Sequence, residues 1–215
     1  MTAPNQTADA APSFDLLVAR TEGLQPWRRL FHATNGIMLS LAPLWLGLSA
    51  ATTVALLSAG TLVAFGLDVV RLRVPEVNRR FFSWFRTLAS PREAGGIASS
   101  SWYALGATLV WLLFDAPIAS ASIAVLGLAD PAASAIGRTW GRRRLGKGSR
   151  LGTSVFFAVA LLVLVVWAPG PGFGALALVA ALVALIEVMP LGLDDNLTIP
   201  LATGGLLWLV QRMAG

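Results

Sequence analysis

The chain has 215 residues, 56% of them hydrophobic and 13% charged, with a net charge of +5 and no cysteine. A composition this apolar excludes an ordinary soluble domain and predicts a polytopic membrane protein. The lack of cysteine excludes a disulfide framework and a thiolate-ligated zinc site, and basic residues confined to loops between apolar runs fit membrane topology better than nucleic-acid binding.

Residues 1–13 are polar and rich in Ala and Pro, with neither a basic n-region nor a short apolar core, so they read as a disordered tail rather than a secretory signal. Residues 14–30 mix Leu16, Leu17 and Val18 with Arg20, Glu22, Arg28 and Arg29 around a break at Gly23 and Pro26. This pattern predicts an interfacial segment lying on the membrane. Apolar runs long enough to span follow near 33–49, 51–70, 96–114, 116–136, 153–168, 173–193 and 196–211. The expectation is an all-α fold: one helical catalytic domain over 31–213 with about seven transmembrane helices.

With the N-terminus in the cytoplasm, the inner loops are 71–95, 137–152 and the turn near 194. Arginine and lysine then fall almost entirely inside, Arg212 being the exception, as the positive-inside rule asks. Tryptophan gives an independent check, because its amphipathic ring prefers the headgroup level. Trp45, Trp111, Trp167 and Trp208 fall near outer helix ends, and Trp27, Trp84, Trp102 and Trp140 nearer the inner face.

Chemistry concentrates in Asp130-Pro-Ala-Ala-Ser134-Ala-Ile-Gly137-Arg138-Thr-Trp-Gly141 and the basic run that follows it to Arg150. Asp130 closes a run of small and apolar residues, where an acid is costly and marks a functional position. On a helix, Asp130, Ser134, Gly137 and Gly141 share one face. A carboxylate, a hydroxyl and bare backbone with guanidinium groups beyond suit a metal-bound polyphosphate. Two structural roles compete: Ala133, Gly137 and Gly141 form a small-residue ladder for close helix packing, which also permits a homodimer, and Asp130-Pro131 has the form of a helix N-cap. The stretch 141–148 resembles a P-loop only in passing, because Gly148 occupies the position of the metal-binding hydroxyl and no strand precedes it.

The last two apolar runs are joined by Pro190-Leu-Gly-Leu-Asp194-Asp195-Asn196-Leu-Thr-Ile-Pro200, with Glu187 about two helical turns earlier. These are hard oxygen donors suited to Mg²⁺, in a sequence that also makes a good polar turn. Asp68 and Arg71 have the spacing of a helix-surface ion pair. His32 is the sole histidine, and Glu93 follows Pro91-Arg92 at a helix start, where the dipole favours an acid.

The order of these motifs resembles the CTP-dependent lipid kinases, the family of dolichol kinase, phytol kinase and the fungal-type diacylglycerol kinase. The resemblance runs from Arg28-Arg29-Leu-Phe-His32 through Asp68-Val-Val-Arg71, Pro75-Glu-Val-Asn78, Arg92-Glu93, Asp130 to Gly141 and Ser149 to Thr153, ending with Glu187 and Asp194 to Pro200. It implies phosphoryl transfer from CTP to the hydroxyl of a membrane-borne lipid alcohol (diacylglycerol, phytol, dolichol or another polyprenol) at the cytoplasmic face, with Mg²⁺. Asp130, Asp194 and Asp195 are the implied metal ligands, and Asp130, Asp195 and His32 the catalytic candidates. Arg29, Arg71, Asn78, Gly137, Arg138, Gly141, Lys147, Ser149, Gly152 and Thr153 are the implied nucleotide contacts; Asp68, Glu93, Ser134, Glu187 and Asn196 complete the site. One departure stands out: the family usually has Lys-Ser followed by Gly-Ser or Gly-Thr after the basic loop, whereas Gly148 precedes Ser149 here and Lys147 is displaced by one residue. The rival readings are a phosphatidate cytidylyltransferase-like enzyme, which would make a CDP-lipid, and a small transporter, which would carry polar groups near the midplane rather than at one face.

Overall fold

Each of the seven apolar runs becomes one helix in the computed structural model, which describes residues 13–168 and 170–214. They are α2 (Pro26–Trp45), α3 (Ala50–Arg73), α5 (Ser99–Leu113), α6 (Ala116–Trp140), α7 (Arg150–Trp167), α8 (Phe173–Val188) and α9 (Asp195–Ala214). Of these, α3, α6 and α7 are long and apolar enough to cross a membrane by length and composition. Two shorter helices, α1 (Phe14–Ala19) and α4 (Pro75–Trp84), and a 3-10 turn at Pro91–Ala94 fill the polar segments. The all-α expectation gains one exception, a small antiparallel hairpin of β1 (Arg144–Leu145) and β2 (Gly148–Ser149). Apart from Ser13, the tail assigned to 1–13 lies outside the described residues.

Local chemistry sets the helix starts. Ser49 and Asp115 cap α3 and α6, accepting from the backbone N–H of Thr52 and Ile118, each at 3.1 Å. Pro26 takes the first position of α2, where its missing N–H costs nothing. Residues 26–30, assigned to the interfacial segment on sequence, are therefore the first turn of α2, and Arg29 lies on the same helix as His32. Asp130 and Pro131 lie well inside α6, which excludes a helix-cap role for that carboxylate.

α6 is the axis of the bundle. Its residues from Ile118 to Gly127 are buried and mostly small, and α2, α5, α7 and α9 pack around it. α3 lies on α5, and α8 closes against α7 and α9. Large apolar side chains such as Leu62, Leu67 and Leu162 face outward, as expected where the solvent is acyl chain.

The crossing of α2 and α6 depends on glycine: a Cβ at Gly127 would lie 2.5 Å from the Cα of Gly36. Gly127→Val is therefore expected to cost roughly 1–3 kcal/mol by overpacking. The check is its melting temperature in detergent beside that of Gly60→Val, where a Cβ meets nothing within 4 Å. Equal losses at the two positions would contradict this packing.

Candidate active site

Two helix ends meet beside α6. Asp130 comes from its C-terminal half, Glu187 from the last turn of α8 and Asp195 from the first residue of α9. One carboxylate oxygen from each lies within 4.8 Å of the other two, and all three residues are half-buried. Three acids this close repel one another unless a cation joins them, and an all-oxygen donor set fits Mg²⁺.

Asp194, read from sequence as a metal ligand, is occupied elsewhere. Its carboxylate accepts from the backbone N–H of Asn196 at 3.0 Å and from the Asn196 side chain at 2.8 Å, and its carbonyl accepts from Leu197 and Thr198. It caps α9. Burial pushes its carboxyl above the ordinary range, the two Asn196 hydrogen bonds pull it back, and the neighbouring Asp195 charge adds to the rise. Asn196 also donates to the Ser99 carbonyl at 3.2 Å, tying α9 to the start of α5. Glu187 is the residue that completes the carboxylate group.

The displaced lysine reaches the site. The hairpin turns through Gly146 and Lys147, with Gly146 at φ 52°, the glycine-first pattern of a tight hairpin loop. The Lys147 backbone N–H donates to the Val188 carbonyl at 3.0 Å, which docks the turn on the end of α8. From there the Lys147 ammonium pairs with Asp195. Both partners are about one-third exposed (33% each), so the contact directs the lysine more than it stabilises the fold.

A cleft of about 80 Å³ borders Asp130. Gln25, Arg28, Arg29 and His32 line it from α2 and the turn before it, and Pro131, Ser134 and Arg138 from α6. Arg29 donates to the Ser134 hydroxyl at 3.2 Å, while its Nε is buried without a partner. Arg138 is exposed at the cleft's rim. The cleft thus joins guanidinium donors to a carboxylate cluster, an arrangement that can hold phosphate oxygens beside a cation.

The remaining sequence candidates fall into two other groups. Gly137, Gly141, Ser149, Gly152 and Thr153 lie where α6 meets α7. A Cβ at Gly137 would lie 2.9 Å from the Ser149 hydroxyl and 3.1 Å from the Cα of Gly152. Ser149 is buried and caps α7 by accepting from the Gly152 N–H at 3.1 Å, and Thr153 donates to the Ser149 carbonyl at 3.0 Å. The packing role of the small-residue ladder is what the geometry displays.

Asp68, Arg71, Asn78 and Glu93 form a buried clamp. Arg71 donates from Nε to Asp68 at 2.6 Å, from one terminal nitrogen to Asn78 at 3.0 Å and to the Glu93 carbonyl at 2.7 Å, and from the other to the Gly96 carbonyl at 2.6 Å. The second Asp68 oxygen accepts from the Ala98 N–H and the Ser101 hydroxyl. Glu93 pairs with Arg28 at 2.9 Å, and Arg28 also donates to Ser99. Every nitrogen of the Arg71 guanidinium is engaged inside the protein. The clamp fastens the 85–98 segment to the start of α2, next to Arg29.

Sequence reasoning missed Gln25 and Tyr103. Gln25 donates to the Ala89 carbonyl at 2.9 Å and has left-handed φ of 46°, a conformation with no sequence signal outside glycine. Tyr103 is buried in α5, its ring edge-on to His32 with centroids 4.7 Å apart.

No family model matches the chain, and no solved structure matches it. Among curated proteins it is similar to CTP-dependent diacylglycerol kinase 1 of Schizosaccharomyces pombe, 28% identical over 202 residues, which cover 86% of this chain and 92% of that protein. A likeness spread over nearly the whole of both chains, joined to the motif order, supports a place for this chain near the CTP-dependent lipid kinases.

Proposed function

We propose that this integral membrane protein transfers the terminal phosphoryl group of CTP to the hydroxyl of a lipid alcohol, with the site at the cytoplasmic end of the bundle. The observation that carries the reading is the meeting of Asp130, Glu187 and Asp195 beside the Arg29 and Arg138 cleft. Asp130, Glu187 and Asp195 would hold Mg²⁺, which when bound neutralises phosphate charge.

Arg29 and Arg138 grip phosphate oxygens from the cleft side. Lys147 exchanges its contact with Asp195 for the polyphosphate through its flexible stem. The clamp around Arg71 fixes the start of α2, so that Arg29 meets the nucleotide without reorganisation. Positioning and charge neutralisation make up most of catalysis in phosphoryl transfer, which suits a site poor in covalent chemistry. Of the acceptors, diacylglycerol is favoured by the likeness to the Schizosaccharomyces pombe diacylglycerol kinase; isoprenoid alcohols carry the same single hydroxyl on an apolar tail.

Incubating the purified protein with a panel of lipid alcohols and each nucleoside triphosphate, with products scored by mass, tests the proposal. The expected products are a phosphorylated lipid and CDP, with CTP as the preferred donor. Pyrophosphate and a CDP-lipid would instead assign a cytidylyltransferase.

A further inference from the structure

α6 arranges its polar neighbours along one line. Ser134 and Arg138 lie one and two turns beyond Asp130 toward the open end, and Arg29 reaches Ser134. In the opposite direction, one turn deeper or about 6 Å, come Leu126 and Gly127. His32 lies beside the Leu126 carbonyl, and its Nε2 is buried without a partner. In the tautomer that carries its proton on Nδ1, the neutral ring leaves a lone pair on Nε2.

The Tyr103 hydroxyl reaches the same level from α5. It lies 3.0 Å from where a Cβ of Gly36 would stand and 3.3 Å from that of Gly127, so both glycines make room for it. Tyr103 is only 7% exposed and its hydroxyl has no partner, although a buried phenol is normally hydrogen-bonded. Two unsatisfied polar groups at one depth, a donor and an acceptor with their rings in contact, match the needs of one alcohol group.

We propose that His32 and Tyr103 form the seat for the acceptor hydroxyl, with the lipid O–H donating to His32 Nε2 and the Tyr103 O–H donating to the lipid oxygen. This rests on the lipid kinase reading and deepens it. Phosphate-binding groups lie toward the open end and the alcohol seat toward the hydrocarbon, with Asp130 between them, so each substrate arrives from the phase in which it dissolves. As the lipid oxygen bonds to the terminal phosphorus, its proton passes to Nε2. The bond from that phosphorus to its bridging oxygen breaks, and CDP leaves.

The test compares wild type, Tyr103→Phe and His32→Gln in detergent micelles with CTP and dioctanoylglycerol, and with phytol in a parallel arm. Tyr103→Phe keeps the ring and removes a hydroxyl that has no protein partner, so its melting temperature should match wild type. It is expected to raise the KM for the alcohol about tenfold with the KM for CTP unchanged. His32→Gln can accept the hydrogen bond but not the proton, and should lower kcat at least about a hundredfold with both KM values retained. A wild type that phosphorylates neither alcohol overturns the lipid kinase reading and this seat with it. An active wild type with unchanged alcohol KM in Tyr103→Phe, or with a CTP KM that rises in parallel, overturns the seat alone.

Discussion

Asp130→Asn is expected to leave the bundle folded and to abolish CTP-dependent lipid phosphorylation, with a loss of roughly 10²- to 10³-fold or more. The substitution preserves size, and removing one charge from three crowded carboxylates relieves repulsion, so the fold has no reason to weaken. What it removes is a charged oxygen that borders both the carboxylate group and the cleft. Terminal phosphoryl transfer develops charge over several oxygens, and preorganised groups act on it most strongly where water is excluded. Elution profile and melting temperature establish folding, and initial rates in liposomes measure the loss. Residual turnover above about a tenth of wild type would contradict the role given to Asp130, because even one preorganised electrostatic contact is worth more than that.

The second large effect is on stability. Asp68→Ala should destabilise the protein by about 3–5 kcal/mol, the usual cost of leaving one member of a buried ion pair without its partner. Arg71 is 3% exposed, and Asp68 is its sole anionic side-chain partner among the described hydrogen bonds. The same carboxylate holds the Ala98 N–H and the Ser101 hydroxyl at the approach to α5. The expected result is a marked fall in melting temperature and in monodisperse yield. A normal melting temperature combined with a large rise in CTP KM would restore Arg71 and Asn78 to the nucleotide site proposed for them on sequence.

The helices were legible because long Leu- and Val-rich runs punctuated by Ser49, Asp115 and Gly172 have few other ways to satisfy their backbone in lipid. Asp130 was legible for the same reason: a carboxylate after a dozen small apolar residues has no bland explanation once it proves to lie inside a helix. Asp194 and Glu187 were both legible as oxygen donors, but only the start of α9 at Asp195 decides which of them becomes a cap. Arg71 could not be separated from Arg29 by residue type. Both are arginines at one end of the bundle, and the difference is that buried carbonyls surround the first. Tyr103 left no trace, since an aromatic residue in an apolar run reads as packing until its hydroxyl is found without a partner.

The hairpin carries a similar lesson. Gly146-Lys147 belongs to a basic run that topology alone would explain, and only the docking of its turn on Val188 turns the displaced lysine toward Asp195. Gly36 and Gly127 are likewise ordinary small residues in sequence, but their crossing sets how closely His32 approaches the turn of α6 that ends at Asp130.

On the proposed function, carboxylates from three separate helices gather one divalent cation beside the phosphate cleft. Titration of Mn²⁺ by electron paramagnetic resonance in the presence of CTP tests it most directly, on wild type and on Asp130→Asn, Glu187→Gln, Asp195→Asn and Asp194→Asn. Each of the first three is expected to weaken Mn²⁺ binding at least about tenfold, while Asp194→Asn, which keeps a capping side chain for α9, binds as wild type does. Wild-type Mn²⁺ affinity in Glu187→Gln, with the loss found in Asp194→Asn instead, would contradict it.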